Sequence, residues 1–322
     1  MSLGVLTSAS TTLLGDKPAT STMRIEADND DAGQAIGWKI YDGDTLVAGY
    51  LIDSHGKPVV YPVIGPSGQA MTRQYPIEDA LATEAKDHQH HRSMWMTHGE
   101  VNDFDFWADE KNEGDTVHRS ASTGVTDDGA AFIMTKNDWM SPKGERVMSD
   151  TRRFTFFRSG DRRVIDCDVI LKATDGDVHF GDTKEGTFGV RVAGTMKVDA
   201  KLGGVITTAD GDTNGKAWGK AAPWVDYSGP VNNKTAGITI HDHPSSYGYP
   251  CRWHVRTYGL FAANPFGVSH FTGEEKTRGV VLPAGKHMRL NYRVILHDGG
   301  LDEEVAKADQ EKFANDPRPP MQ

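Results

Sequence analysis

The chain of 322 residues is poor in cysteine, in excess positive charge and in long apolar runs. The spacing of its 2 cysteines, Cys167 and Cys251, gives no support to a disulfide framework. Lysine and arginine number 35 against 45 acidic residues, for a net charge of -10 with no basic stripe, so we expect no nucleic-acid partner. Because no apolar run reaches about 18 residues, we also expect no membrane span.

Several familiar active-site motifs are missing from the sequence as well. It has no Gly-x-Ser-x-Gly nucleophile turn, no Walker loop and no dinucleotide fingerprint. The first 15 residues lack the basic start and the long apolar stretch of a signal peptide, and we expect residues 1–20 to be a poorly ordered tail. Location in the cytoplasm or the periplasm, and the oligomeric state, stay open at this stage.

Alternating apolar and polar residues are the main secondary-structure signal. Residues 164–172, 187–192 and 288–296 alternate with period two, which predicts strands with one buried face. Turn sequences such as Asp127-Asp128-Gly129 and Pro283-Ala284-Gly285 separate such segments, so hairpins and antiparallel sheets are expected. No linker or composition shift divides the chain. We therefore predict an all-β fold, with residues 21–322 as one β-sandwich domain.

Helix signals are few. Apolar residues four apart predict a short helix over residues 76–86. A second helix is predicted to begin near Leu301 and to end before Pro317, because acidic residues in its first turn interact favourably with the helix dipole. Helix is thus expected mainly at the C-terminal end.

Histidine is concentrated in one short segment. Four of the 13 histidines lie within eleven positions: His88, His90, His91 and His98. Such a cluster is costly to hold unless each ring has a partner, which indicates a functional pocket. In an extended segment, His88 and His90 would share one face and could hold a divalent metal ion, with His91 on the other face. The alternative is that some of these imidazoles only hydrogen-bond a loop.

Two further segments combine charged groups with an apolar strand. Lys184 and Glu185 precede a strand in which Arg191 lies opposite the apolar face. One interpretation is that Glu185 acts as a base or binds hydroxyl groups. The other is that these charged residues form a surface ion pair. His254 and Arg256 share one strand face, and His241 alternates away from its isoleucine neighbours. These groups suit an anion or a polyol, although cross-strand pairing with a carboxylate explains them equally well.

Several motifs together resemble a bacterial domain family of unknown function that is often labelled "methane oxygenase PmoA-like". The similar stretches are Asp87-His88-Gln89-His90-His91-Arg92, His98-Gly99-Glu100-Val101-Asn102, Phe106-Trp107, Lys184-Glu185-Gly186, Asp226-Tyr227-Ser228-Gly229 and Tyr258-Gly259-Leu260-Phe261-Ala262-Ala263-Asn264-Pro265-Phe266-Gly267. The resemblance runs from about residue 40 to residue 298. Gln89 stands where the family usually has proline, and Glu100 and Asp103 also depart from its pattern, which affects loop geometry.

The resemblance implies a link to carbohydrate, since such proteins occur beside sugar-degrading genes. The label implies copper, whereas the residues show only a histidine cluster. The series of hairpins is also similar to the galactose mutarotase-type super-sandwich, a likeness of fold that does not by itself give function.

From these observations we expect an antiparallel β-super-sandwich with a short C-terminal helix that binds a sugar or sugar acid. The expected reaction is acid/base chemistry of the epimerase, mutarotase or lyase type. The candidate acid/base residues are His90, His91 and Glu185. The candidate binding residues are Arg92, His98, Asn102, Lys184, Arg191, His241, His254 and Arg256. The alternatives are a metal-dependent oxygenase or lyase that uses the histidine cluster, and a sugar-binding module without catalysis.

Overall fold

Two eight-stranded antiparallel sheets form a sandwich in the computed structural model, which describes residues 23–108 and 113–321. The first sheet, in spatial order, contains β1 (Met23–Asn29), β2 (Ala35–Asp42), β3 (Thr45–Leu51), β4 (Val59–Val63), β5 (Met94–His98), β11 (Gly186–Arg191), β16 (Leu260–Asn264) and β15 (Arg252–Val255). The second contains β12 (Val205–Thr208), β13 (Trp224–Val231), β14 (Lys234–Asp242), β18 (His287–Asp298), β9 (Arg162–Lys172), β8 (Arg146–Ser159), β7 (Ala131–Met140) and β6 (Asp115–Val125).

Smaller elements complete the described chain. The strands β10 (Val178–Phe180) and β17 (Val280–Leu282) pair with each other, and the helices are α1 (Val268–Thr272) and α2 (Glu303–Asn315). Short 3-10 turns lie at Val198–Ala200 and Asn214–Ala217. Neither α-helix within the described ranges is long and apolar enough to cross a membrane.

The predicted fold class is confirmed. The period-two segments over residues 164–172, 187–192 and 288–296 coincide with β9, β11 and β18. The C-terminal helix is also confirmed, and the Asp302 carboxylate caps it by accepting a hydrogen bond from the backbone N–H of Val305 at 3.1 Å. The single domain over residues 21–322 stays a prediction, and the predicted tail, residues 1–20, lies outside the described residues.

The helix predicted over residues 76–86 is wrong, because this segment forms turns. The carboxylate of Glu84 accepts hydrogen bonds from the backbone N–H groups of Gln74 at 2.9 Å, Leu81 at 3.2 Å and Tyr75 at 3.3 Å. A side chain that satisfies backbone donors in this way stabilises a turn in place of a helix. The four-residue spacing of apolar residues does not reveal that a side chain competes with the helix for these backbone donors.

The apolar side chains divide into two clusters, one on each side of the first sheet. Alternate residues of β5, such as Met94 and Met96, face the second sheet and join the main core, where Phe188 stacks on Tyr292 with ring centroids 5.0 Å apart. Trp95, between the two methionines, belongs to the smaller cluster on the opposite side. We call that side of the first sheet, which looks away from the second sheet, the outer face.

Candidate functional site

Four neighbouring strands build the centre of the outer face. Their registers place Trp95 of β5 beside Gly189 of β11, Gly189 beside Ala262 of β16, and Ala262 beside His254 of β15. A Cβ atom at Gly189 would lie 2.8 Å from the Trp95 ring. Small residues in the middle of the row therefore let the indole lie against the sheet, and they leave room above the sheet for other side chains.

A cavity of about 420 Å³ lies over this part of the outer face. It is lined by His88, His90, His91, Asp105, Trp107, Ala108, Lys184, Glu185, His254, Arg256 and Tyr258, and we call it the outer-face cavity. Its volume lies within the roughly 300–1,000 Å³ range of small-molecule sites. Four separate segments of the sequence, at residues 88–91, 105–108, 184–185 and 254–258, thus contribute polar groups to one cavity.

The clustered histidines form an aromatic stack in place of the extended segment that the sequence indicated. Residues 88–91 make a turn, closed by a 3.0 Å hydrogen bond from the backbone N–H of His91 to the carbonyl of His88. The ring of His88 stacks on Tyr258 at 5.0 Å and on His91 at 4.9 Å, and His90 packs edge-on against His91 at 4.4 Å. The turn therefore brings His88 and His91 onto the same side, which corrects the predicted alternation.

Asp87 is the anionic centre of this turn. Its Oδ1 accepts from Nη1 of Arg73 at 2.7 Å and from Nη2 of Arg191 at 2.9 Å, and its Oδ2 lies 2.9 Å from Nδ1 of His88. Partial burial raises the pKa of Asp87, but Arg191, His88 and Arg73 outweigh it and lower that pKa to about 2. The carboxylate is therefore ionised and holds two buried guanidinium groups against the turn.

His91 is held neutral and in one tautomer. It is 1% exposed, and Nη1 of Arg191 lies 3.0 Å from its Nδ1. Because a guanidinium group can only donate, Nδ1 of His91 must be the acceptor. Burial lowers the pKa of His91 well below its usual value, and the positive charges of its neighbours, Arg191 among them, lower it further. The neutral ring therefore carries its proton on Nε2.

His254 is held in the opposite tautomer. Its Nδ1 lies 2.8 Å from the backbone carbonyl of Lys184, and a carbonyl can only accept, so Nδ1 carries the proton. Burial lowers the pKa of His254 to about 4, and Lys184 and Arg256 reinforce the shift against the opposing effect of Glu185. The neutral ring keeps a lone pair on Nε2, so His254 is an acceptor where His91 is a donor.

Lys184 and Glu185 form an ion pair at the cavity, between Nζ and Oε1. Burial raises the pKa of Glu185, but the hydrogen bond from Lys184 and the charges of His254, Lys184 and His90 lower it overall. Glu185 is therefore an ionised carboxylate beside two imidazoles. The ion pair is half-buried and lines the cavity, and a role of Glu185 as a base or hydroxyl-binding group stays a prediction.

Five predicted site residues do not line the outer-face cavity: Arg92, His98, Asn102, Arg191 and His241. His98 is buried against Phe180 and Phe266, and its Nε2 donates to the carbonyl of Gly181 at 2.9 Å. Asn102 accepts from the backbone N–H of His179 at 2.7 Å through its side-chain oxygen. Both residues fix loops, since their polar atoms are used by neighbouring backbone, and neither lines the cavity.

His241 lies in β14 of the second sheet, whereas the histidine turn directly precedes β5 of the first sheet. It is fully buried, and its Nδ1 donates to Oε1 of Gln310 on α2 at 3.0 Å. The side chain of His241 therefore docks the C-terminal helix.

Arg92 is also buried and donates to Oγ of Ser54 at 3.3 Å, outside the lining of the cavity. Arg191 lies behind the cavity, where it orients His91 without lining the space.

The candidate metal ligands, His88 and His90, have ring centroids 5.7 Å apart at nearly perpendicular planes, and Nδ1 of His88 faces Asp87. Within residues 23–108 and 113–321, no three histidine, cysteine, aspartate or glutamate side chains are grouped so that they could hold a metal ion. Structural metal sites need three or four protein ligands with defined geometry. The described residues therefore do not supply the ligand set that the metal hypothesis requires.

Sequence reasoning missed the role of three residues. Tyr258 stacks on His88, Trp107 lines the cavity beside Trp95, and Arg73 donates to Asp87 from a fully buried position. Tyr258 follows His254 and Arg256 at the same two-residue spacing, a signal that could have added it to the strand-face pair. Arg73 gave no such signal, because it lies in an irregular segment.

Solved structures of glycoside hydrolases show a distant similarity to the chain. A glycoside hydrolase family 97 enzyme from Pseudoalteromonas sp. strain K8 is 12% identical, with a TM-score of 0.36 over 86% of this chain and 34% of the enzyme. The galactosidase domain of an alpha-galactosidase-sucrose kinase is 10% identical, with a TM-score of 0.42 over 85% and 42%. The alpha-galactosidase from Lactobacillus brevis is 10% identical, with a TM-score of 0.43 over 92% and 43%. The chain thus spans less than half the length of these proteins.

No curated protein matches the sequence. A family match covers residues 38–310, which is most of the chain and includes every lining residue of the outer-face cavity. The family has no known function, so the match identifies the relatives of the chain and leaves its activity open. The protein belongs to the family of unknown function DUF6807.

Proposed function

We propose that the outer-face cavity binds a carbohydrate and catalyses acid/base chemistry on it, of the epimerase, mutarotase or lyase type. One observation carries the proposal: two buried, neutral imidazoles of opposite tautomer, His91 and His254, line the same cavity. One presents a proton and the other a lone pair. Reactions of this type need both, since one group removes a proton while another stabilises the oxygen that gains electron density.

The protein groups have distinct roles in this proposal. Glu185 and Nε2 of His254 are the acceptors, and either can take a proton from a hydroxyl or from a carbon next to a carbonyl. The Nε2–H of His91 donates a hydrogen bond to the substrate oxygen on which negative charge develops, as a neutral imidazole can do. His90 packs edge-on against His91 and lines the same space, where it is the candidate proton carrier.

Aromatic rings in the lining support a carbohydrate ligand. Tyr258 and Trp107 both line the cavity, together with charged groups such as Lys184 and Glu185 that can bind hydroxyls. Aromatic side chains combine a large apolar surface with a polar end, which suits the mixed surface of a sugar ring. The cavity volume is that of a small ligand and leaves little space for a long chain.

Binding without turnover is a second candidate function, and the low imidazole pKa values favour it. The pKa of His254 is about 4, whereas general acid/base catalysis is most efficient when the catalytic pKa lies near the operating pH. In this alternative His91 and His254 serve only as a hydrogen-bond donor and acceptor for hydroxyl groups. Both functions place the ligand in the same cavity.

Nuclear magnetic resonance spectroscopy of the protein with single sugars in D2O separates these candidates. Deuterium incorporation at a carbon, loss of a substituent, or faster exchange between anomers would each show catalysis. We expect His91→Gln and His254→Gln to lower the rate by roughly 100-fold or more, as loss of an acid or base does. His287→Gln, at an exposed position, is the matched control.

The outcomes are distinct. Sugar binding that is lost in both variants, without any reaction, would establish the binding-only function. Activity that disappears on chelation and returns with added zinc, iron or copper would favour a metal-dependent enzyme. Sugar-induced shifts found only in protein resonances remote from the cavity would overturn the proposal. The absence of binding by any neutral or acidic sugar would overturn it as well.

A further inference from the structure

Arg256 differs from the other cations around the outer-face cavity. Lys184 is paired with Glu185, and the guanidinium of Arg191 binds Asp87. The Arg256 side chain also lines the cavity, yet among residues 23–108 and 113–321 its guanidinium makes no hydrogen bond or ion pair. The guanidinium lies over two rings: its central carbon is 5.5 Å from the centroid of Tyr258 and 5.9 Å from that of Trp218.

These ring contacts hold the guanidinium without using its donors. A cation over an aromatic face is attracted by the ring quadrupole, which leaves the N–H groups in the guanidinium plane available. Five donors in a fixed fork match the two oxygens of a carboxylate. Arg256 is therefore a half-buried, oriented cation with its hydrogen-bonding capacity unused in the described structure.

Other donors line the same cavity. The indole N–H of Trp107 is buried and has no hydrogen-bond partner among the described residues, and His91 carries a proton on Nε2. A buried donor without a partner costs free energy, so native structures rarely leave one unused. The unused donors of Arg256, together with these N–H groups, favour a ligand that brings a negative oxygen atom.

We propose that the ligand of the outer-face cavity is a sugar acid whose carboxylate pairs with Arg256. This inference rests on the proposed carbohydrate-binding function and narrows its substrate class. A singly charged carboxylate suits the site better than a phosphate dianion, because the lining also contains the carboxyl groups of Glu185 and Asp105. One unpaired cation balances one negative charge, and a second charge would face repulsion from those carboxylates.

The position of Arg256 also connects binding to chemistry. His254 lies in β15, and Arg256, the first residue beyond that strand and not on its face as predicted, lines the same cavity. Arg256 is one of the charges that lower the pKa of His254. A carboxylate bound to Arg256 cancels part of that charge, so the bound ligand makes His254 a stronger base. His254 is therefore a stronger proton acceptor in the complex than in the free protein.

Isothermal titration calorimetry of the 322-residue chain with galacturonate, glucuronate, galactose, glucose and glucose 6-phosphate tests the inference. We expect at least one uronate to bind more tightly than its neutral counterpart. Loss of a charge-assisted hydrogen bond predicts that Arg256→Gln weakens uronate binding roughly 10- to 100-fold and weakens neutral-sugar binding by a smaller factor. Arg256→Lys should retain part of the affinity, because a point charge remains without the bidentate fork.

Arg252→Gln is the matched control. Arg252 is the first residue of β15, four residues before Arg256, and it donates to the carbonyl of Gly219 at 2.9 Å outside the cavity lining. We expect it to leave uronate affinity within about twofold of the wild type. Should Arg256→Gln fail to fold, the guanidinium resonances of wild-type Arg256 can be followed during a galacturonate titration, and they should shift on binding.

Uronates that bind no tighter than neutral sugars, an unchanged affinity in Arg256→Gln, or unmoved Arg256 resonances would each overturn the inference. Preferential binding of glucose 6-phosphate would overturn the assignment to a carboxylate. Binding of neutral sugars alone would leave the proposed function standing and remove only this inference. Binding of none of these ligands would overturn both.

Discussion

Arg191 donates a hydrogen bond from Nη1 to Nδ1 of His91 at 3.0 Å, while Nη2 of the same guanidinium binds Asp87 at 2.9 Å. A permanently protonated group thus fixes which nitrogen of the imidazole is bare. Arg191 does not line the cavity, so it acts through His91 as a positioning residue.

Replacement of Arg191 by methionine should release this tautomer. In the wild type we expect the nitrogen-15 shifts of His91 to show a bare Nδ1 and a protonated Nε2. In Arg191→Met both tautomers should be populated, because no obligatory donor faces Nδ1. Arg119→Met, at an exposed ion pair with Asp138, is the control and should leave the His91 shifts unchanged. A protonated Nδ1 in the wild type would contradict the assignment.

Gly189 should tolerate no side chain. Its Cβ would come within 2.8 Å of the Trp95 ring, and that ring is held between Trp107 and the sheet. We expect Gly189→Ala to lower the free energy of unfolding by about 1–3 kcal/mol, as overpacking does, and to weaken ligand binding by displacing Trp95. Gly300→Ala, where nothing lies within 4 Å of the added atom, is the control for urea denaturation. Equal stability of the two variants would argue against a tightly packed cavity floor.

A buried ion pair in the sandwich gives a further test. Asp150 accepts hydrogen bonds from Arg152, Asn137 and Trp139, each with a contact of 2.7 Å, and neither Asp150 nor Arg152 is more than 1% exposed. Asp150→Asn should lower the free energy of unfolding by about 3–5 kcal/mol, because Arg152 is left as an uncompensated buried charge.

Asp175→Asn is the matched control for this prediction. It disrupts the exposed pair between Asp175 and Arg146, which should contribute at most about 1 kcal/mol. Urea denaturation of both variants measures the difference. A loss of stability in Asp150→Asn no larger than that in Asp175→Asn would contradict the prediction. It would mean that other groups compensate the buried charge of Arg152.

Stability should fall as the solution becomes mildly acidic. Burial lowers the pKa of His98 and of His241 from 6.5 to about 4. Between these values the unfolded chain binds more protons than the folded one, so the free energy of unfolding rises with pH. The contribution is complete above pH 6.5 and is lost as the pH falls toward 4.

Thermal denaturation between pH 4 and pH 7.5 measures this dependence. His241→Gln should have a shallower decrease of Tm over the acidic range than the wild type, because one group that gains a proton on unfolding is gone. His287→Gln, at an exposed position, should retain the wild-type dependence. A wild-type Tm that does not change between pH 7 and pH 5 would contradict the prediction.

Local pattern was enough to predict the strands and the C-terminal helix. Period-two alternation locates β9 and β18 because one face of each strand must be buried, whatever packs against it. The acidic start of α2 is likewise a local signal. Apolar spacing gave a wrong helix over residues 76–86. The Glu84 side chain accepts hydrogen bonds from backbone N–H groups there, and a pattern of apolar residues carries no information about such bonds.

The sequence by itself determined the fold class, the family and the segments rich in ionisable groups, since these depend on residue type and on spacing within one segment. Only the tertiary structure decided which groups meet. It brought His91, Glu185, His254 and Arg256 to one cavity, and it assigned His98 and His241 to buried packing elsewhere. The physical reason is strand pairing: β5, β11 and β15 are distant along the chain, and their registers, which depend on the whole sheet, fix which side chains become neighbours on the outer face.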